Sequence, residues 1–319
     1  LLLYVSCFPQ LIAGPIVQYG DVALSISKRS TTVDDFSAGM RRFAIGLGKK
    51  VLIANICGEA LNALPSAGND MSLTGAWLGA FLYALQIYFD FSAYSDMAIG
   101  LGRVIGFKYK ENFNYQYISS SITEFWRRWH MSLSGFFRKY VYIPLGGNRK
   151  GAKRTALNLM IVWSLTGLWH GASWNFVAWG MYYGILLLAE KFVFPEAIEK
   201  TPKALRHVFT LAAVLFGWVI FYHTDTAEMF AHLKAMVGLS GVIIDEGTIS
   251  VIKTYTVFPL IGMILSTPIL PALKKMTMKK QWLEKTGIIA GTILLTAVLI
   301  LSILFLVGES YNPFIYFRF

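Results

Sequence analysis

Long uncharged stretches alternate with short charged ones along the chain. Windows of spanning length fall at Leu1–Gly20, Met71–Phe89, Thr155–Ala189, His207–Thr224, Thr254–Leu273 and Thr286–Gly308, since about 20 helical residues cross about 30 Å of hydrocarbon. Met40–Leu64 is equally apolar but is interrupted by Arg41, Arg42, Lys49 and Lys50, and is predicted to form a helix at the interface or around a cavity rather than a lipid-facing span. The predicted fold is all-α, a polytopic integral membrane protein. No repeat, low-complexity tract or water-soluble insertion breaks the series, so residues 1–319 read as a single transmembrane domain.

The signs of the loops orient the spans. Arg138–Arg154 carries six basic and no acidic residues and Lys274–Lys285 five basic against one acidic, which predicts the cytoplasmic side for both. Asp225–Lys253, with two basic and four acidic residues, is predicted to lie outside. A single span at His207–Thr224 then returns Glu190–Arg206 to the cytoplasmic side, so the 35 residues of Thr155–Ala189 must enter and come back. One straight helix of that length would be about 52 Å, too long for one crossing and short for two. Two short helices or a re-entrant hairpin, broken around Gly167–Ser173, meet both limits. Irregular backbone at that depth survives only inside protein or beside a water-filled cavity.

Composition narrows the class. With 55% apolar and only 15% charged residues, a water-soluble domain is excluded. The net charge of +11 follows the membrane pattern of basic loops and does not mark a nucleic-acid binder. Cys7 and Cys57 give neither a disulfide framework nor metal-ligand spacing, so no metal is expected. The chain opens within an apolar segment, without methionine, a basic flank or a cleavage signal, as a piece of a longer protein would.

Three groups of residues carry candidate chemistry. His170 stands within the uncharged run, in Leu165-Thr-Gly-Leu-Trp-His-Gly-Ala-Ser-Trp174, where an ionisable side chain implies a functional role and an imidazole suits proton transfer near neutral pH. A second segment, Ile122 to Tyr142, is amphipathic, aromatic and basic at once. Trp126, Trp129, Arg127 and Arg128 suit either interfacial anchoring or the binding of an anionic donor such as the phosphates of coenzyme A or of a phosphopantetheine carrier. His130 lies one turn after Trp126 and Arg127. In the third segment, Asp90 and Tyr94 share one face of a helix and Asp96 and Arg103 another. They read either as lining an interior tunnel or as structural Asp–Tyr and Asp–Arg pairs.

Together Phe8-Pro-Gln-Leu-Ile-Ala-Gly-Pro-Ile-Val17, Tyr88-Phe-Asp-Phe-Ser-Ala-Tyr-Ser-Asp-Met-Ala98, Phe125-Trp-Arg-Arg-Trp-His-Met-Ser-Leu133, Gly167-Leu-Trp-His-Gly-Ala-Ser-Trp174 and the terminal Tyr-Asn-Pro-Phe-Ile-Tyr-Phe resemble the membrane-bound O-acyltransferase family. The wording is most similar to its alginate O-acetylation branch; the D-alanyl transferase of teichoic acid synthesis is a more distant relative. The resemblance runs from end to end, except that several spans expected before Leu1 are missing. It implies a ring of transmembrane and re-entrant helices around a central tunnel, a catalytic residue at His170 and a second functional histidine at His130. It also implies an acyl thioester donor such as acetyl-CoA on the cytoplasmic side, with no bound cofactor. On the outer side it implies a polysaccharide or a periplasmic acetyl-transfer partner protein.

The expected activity is therefore acyl transfer in a bacterial cytoplasmic (inner) membrane, with His170 as general base on a sugar hydroxyl and direct transfer rather than an acyl-enzyme. The rival from another class is a transporter of an acyl group, lipid or oligosaccharide, using Asp90, Asp96 and His170 as a proton path.

Overall fold

The computed structural model describes residues 2–11, 14–66, 71–277, 281–308 and 313–315, and among them the regular elements are helices, with no strand. Three described helices are long and apolar enough to cross a membrane by length and composition: Trp174–Val193, Lys203–Tyr222 and Lys285–Gly308. The protein is an all-helical membrane protein. Its contacts divide it into two compact units, the first drawn from Leu1–Gly58, Leu85–Asn114 and Val257–Arg318, the second from Glu59–Ala84 and Tyr115–Thr256.

In the first unit, the helix Val33–Gly48 starts on Thr32, whose hydroxyl accepts the Asp35 N–H, with Asp34 and Asp35 favourably placed at its positive end. It widens into a π-type stretch over Lys49–Asn55 and continues as Ile56–Asn62. Three of the cations that interrupt Met40–Leu64 turn toward carboxylates of the long helix Leu73–Val104. Arg42 and Lys49 both hold Asp96, at 2.8 and 2.6 Å, and Lys50 holds Asp90 at 2.6 Å. Three cations are thus kept among apolar neighbours by neutralisation, while Arg41 is exposed.

Lys50 also donates to the Pro313 carbonyl at 3.1 Å, and the Ile315 N–H donates to Asp90 at 2.8 Å. The described part of the terminal motif is fastened there, with Phe314 edge-on to Tyr94 at 5.2 Å. The motif's other residues lie outside the described ones.

Two sequence windows fold differently from the spans they suggested. Among the described residues of Leu1–Gly20, the short turns Leu2–Val5 and Phe8–Gln10 precede the helix that begins at Tyr19, since Pro9 and Pro15 lack the N–H a helix needs. Thr254–Leu273 is interrupted: one helix ends at Tyr255 and another runs Val257–Leu265. The basic Lys274–Lys285 loop lies partly outside the described residues.

In the second unit, the chain from Gly151 forms a helical hairpin. Its first arm is Gly151–His170 and its second arm Trp174–Leu188, extended by a π-type turn over Ala189–Val193. The break falls at Gly171–Ser173, inside the predicted interval, but the arms are longer than the uncharged run. Lys153 and Arg154 are taken into the first turn of the first arm, so 20 residues there give about 30 Å. Gly167 and Gly180 let the arms touch backbone to backbone: a Cβ on Gly180 would sit 2.3 Å from the Trp163 carbonyl oxygen, and one on Gly167 2.3 Å from that of Phe176. Lys203–Tyr222 packs along the second arm, with Tyr182 donating to the Ala213 carbonyl at 2.8 Å.

Candidate active site

His170 is the last residue of the first arm, half-buried at the hairpin tip. The chain turns away at Gly171, whose φ of 156° and proximity to the Phe176 ring, 2.8 Å from a would-be Cβ, require glycine. The imidazole is enclosed by aromatic rings. Trp179 meets it edge-on at 5.2 Å, Phe221 edge-on at 5.1 Å, and Phe176 lies at 6.4 Å. Trp179 and Phe176 belong to the second arm and Phe221 to the next helix, so three elements fix the ring.

The second histidine comes from a separate helix. Ile122–Arg128 begins with a capping box: Ser121 accepts the Glu124 N–H at 3.0 Å, and the Glu124 carboxylate accepts the Ser120 N–H at 2.9 Å. Partial burial works to raise the Glu124 carboxyl, but the Ser120 N–H and the Arg128 guanidinium hold it below the ordinary carboxylate range.

The helix ends at Trp129, and His130 follows with φ 43° and ψ 53°. A left-handed backbone is uncommon outside glycine and tends to be kept where a side chain must be aimed. It turns the chain into Met131–Phe137 while His130 stays buried, its Nδ1 3.4 Å from the Ser132 hydroxyl. The imidazoles of His130 and His170 are close enough to interact electrostatically.

Trp126 and Trp129 point into the unit, not to a lipid boundary. Trp126 packs edge-on to Trp163 at 4.8 Å, Tyr183 at 4.7 Å and Trp179 at 5.4 Å. Trp129 stacks on Phe125 at 5.9 Å and meets Trp218 at 4.8 Å. The indole N–H groups of Trp126, Trp179 and Trp218 are buried without an acceptor among the described residues; the edge-on geometry aims indole edges at neighbouring ring faces. An interfacial helix would show its tryptophans to lipid, so the anchoring role falls to other residues.

Arg127 is exposed, whereas Arg128 pairs with Glu124 at 2.9 Å. The exposed Arg149, Lys150, Lys153 and Arg154 gather at the start of the first arm. From Arg154 to His170 is 16 residues of helix, about 24 Å. The basic cluster and the tip histidine therefore stand at opposite ends of one helix.

Asp90, Tyr94 and Asp96 belong to the first unit, where Lys50, Arg42 and Lys49 take up the two carboxylates. The Asp–Arg spacing of Asp96 and Arg103 is not used: Arg103 pairs with Asp35 at 2.9 Å. Among the described residues, no three His, Cys, Asp or Glu side chains converge as metal ligands.

Two features escape a reading of the sequence. His223, just past Lys203–Tyr222, and His232, in the helix Thr226–Met236, form a buried pair, Nε2 to Nδ1 at 2.9 Å, with His232 Nε2 donating to the Ala76 carbonyl at 3.0 Å. Glu190, in what the sequence presents as a loop, accepts from the first turn of Ile122–Arg128: the Ile122 N–H at 2.5 Å, the Thr123 N–H at 2.9 Å and the Thr123 hydroxyl at 2.8 Å. No periodicity signals a contact across 67 residues.

The chain is similar in sequence to several known proteins. A probable alginate O-acetylase from Azotobacter vinelandii is 49% identical over 218 residues, 68% of this chain and 44% of the relative. Its counterpart from Pseudomonas putida is 37% identical over 332 residues, 99% of this chain and 68% of the relative. A peptidoglycan O-acetyltransferase from Helicobacter pylori is 39% identical over 247 residues, 75% of this chain and 47% of the relative. The chain thus spans under half the length of the first of these. The family model of the membrane-bound O-acyltransferases matches residues 1–229, a region that includes parts of both units and both histidines, and the chain belongs to that family.

Proposed function

We propose that the protein transfers an acetyl or other short acyl group from a thioester donor, such as acetyl-CoA, on the cytoplasmic side of a bacterial inner membrane. The acceptor is a hydroxyl of an exported polysaccharide such as alginate, reached directly or through a periplasmic partner protein. The observation that carries the reading is His170 at a hairpin tip, enclosed by aromatic rings, with the buried His130, on a left-handed backbone, within electrostatic range of it.

In this reading His170 takes the proton of the acceptor hydroxyl as its oxygen attacks the thioester carbonyl carbon. The tetrahedral intermediate collapses by breaking the carbon–sulfur bond, and the imidazolium returns the proton to the departing thiolate. Atoms and charge balance without a cofactor. A base within hydrogen-bond reach contributes about 10²–10⁴-fold, and exclusion of water by the surrounding rings favours alcohol over hydrolysis. His130 orients the thioester or stabilises the oxyanion.

The basic cluster at the start of the first arm and Arg127 suit the phosphates of the donor, whose acyl end then travels the length of the arm toward the tip. The locked carboxylates Asp90 and Asp96 support acyl transfer over the transporter alternative, because a proton path needs groups that can release their partners.

The test is radiolabelled acetyl transfer from acetyl-CoA to deacetylated alginate by inside-out and right-side-out vesicles of the full-length protein. The reading expects transfer only when acetyl-CoA meets the cytoplasmic face, and a raised donor KM for Arg127→Gln. Label appearing equally from either face, or label crossing the membrane still attached to coenzyme A, would contradict it.

A further inference from the structure

The helix Ile122–Arg128 runs antiparallel to the second arm of the hairpin, and its contacts form a ladder. At one end Glu190 accepts from Ile122 and Thr123. In the middle Trp126 meets Tyr183 at 4.7 Å and Trp179 at 5.4 Å. Past the other end, where the second arm meets the hairpin tip, His130 is within electrostatic range of His170, the last residue of the first arm. Numbers rise along one segment as they fall along the other.

The middle contacts are ring-on-ring, which fix spacing between helices but tolerate sliding along them, because dispersion is non-directional. The hydrogen bonds of Glu190 do not tolerate it. A helix has free N–H groups in its first turn; here the Glu124 N–H goes to Ser121, and those of Ile122 and Thr123 go to the two oxygens of Glu190. The carboxylate also sits at the positive end of the helix dipole.

We infer that Glu190 is a positioning residue that sets the axial register of the Trp126 helix and thereby the separation of His130 from His170. It touches neither substrate nor the reacting atoms. The inference rests on the reading of His130 and His170 as the reacting pair. One residue of slip moves a helix by about 1.5 Å, and misplacement by about 1 Å at a reacting centre costs on the order of 10²-fold in rate.

Local sequence alone leaves this register open. Ser121 and Glu124 cap the helix from within, so it would form without Glu190, but nothing in that box says where along the second arm it stops. The π-type turn at Ala189–Val193, which carries Glu190, is the kind of helix irregularity that recurs at functional positions.

The experiment compares Glu190→Ala, Glu190→Asp and Glu190→Gln in the full-length protein in membranes, alone and combined with His130→Ala, using labelled acetyl-CoA and deacetylated alginate. Glu190→Ala is expected to lower kcat roughly 10–100-fold with donor KM within about twofold. Glu190→Asp keeps charge and acceptors but shortens the tether by one methylene. It should accumulate and unfold like the parent yet lose about tenfold in kcat, whereas Glu190→Gln, of the same length, should do better than Asp.

In the His130→Ala background each of these substitutions should add less than about twofold, because a residue acting through His130 has nothing left to position. Additive losses, an Asp variant as active as the parent, or a His130→Ala protein that is fully active while Glu190 variants are impaired would each overturn the inference. Should Glu190→Ala fail to accumulate, the Asp and Gln variants decide the same question. Full activity in both His130→Ala and His170→Ala would instead remove the catalytic reading beneath it; inactive histidine variants beside unaffected Glu190 variants would remove the register claim alone.

Discussion

Gly180→Ala adds a single methyl group to the second arm of the hairpin, at the point where the arms come closest. The new Cβ would stand 2.3 Å from the Trp163 carbonyl oxygen, where ordinary contact begins at 3.4 Å. Backbone cannot be turned aside as a side chain can, so the arms must part by about 1 Å. Trp163 belongs to the cluster that holds Trp126 and Tyr183, and a gap of about 0.5–1 Å forfeits roughly a quarter to a half of a dispersion contact. Overpacking of this kind costs about 1–3 kcal/mol, a factor of about 5–150 in the folding equilibrium. Gly135→Ala supplies the control: a Cβ there meets nothing within 4 Å, and alanine in a helix should be worth about 0.5–1 kcal/mol over glycine. Unfolding by denaturing detergent in bicelles, followed by intrinsic tryptophan fluorescence, reads both. The reasoning requires Gly180→Ala to be destabilised and Gly135→Ala to be neutral or stabilised. If the two were alike, the closeness of the arms would not be what holds the site.

Further outcomes follow from other contacts. Lys50→Met should destabilise by about 3–5 kcal/mol because it takes the cation from the buried Asp90 carboxylate, and Lys50→Met/Asp90→Leu should recover most of the loss; bicelle unfolding of the three proteins checks both. His232, outside the spanning helices, is pushed down by burial from the ordinary 6.5 to about 4, against the pull of the Ala76 carbonyl. The unfolded chain therefore takes up its proton first, and this contribution, up to about 3 kcal/mol, is present above the ordinary histidine value and lost as pH falls toward the lowered one. His232→Gln should blunt that acid loss in a pH series of thermal midpoints. Single cysteines at Lys150 and Lys234, with Cys7 and Cys57 replaced, should label with an impermeant thiol reagent in intact cells only at Lys234; labelling at Lys150 would reverse the orientation.

The legible parts of the molecule were those with one strong local cause. Uncharged length marked Lys203–Tyr222 and Gln281–Gly308 as helices, and the glycine-rich break placed a tip at His170. Charge misled at the edges. Lys153 and Arg154 mark the end of the uncharged run, yet they extend the hairpin, because a helix can carry long cationic side chains in its first turn while their ends stay in water. The cations of Met40–Leu64 suggested an interface or a cavity wall, and Asp90 and Asp96, the partners of Arg42, Lys49 and Lys50, were already visible one segment away. Pairing them required the register of two helices, which period alone does not supply. Trp126 and Trp129 suggested lipid anchors or donor contacts by their type and are buried in the core, a distinction that depends on which face of a seven-residue helix meets the second arm. Glu190 and the His223–His232 pair depend on contacts distant in sequence, with no local pattern to betray them.

The central claim is that His170 removes the proton from the acceptor hydroxyl. His170→Ala and His170→Gln in the full-length protein, matched to the parent in membrane insertion and thermal midpoint, should lower kcat for acetyl transfer by at least about 10²-fold while leaving donor binding within about twofold. Transfer at the parental rate by a well-folded His170→Ala protein would contradict the account.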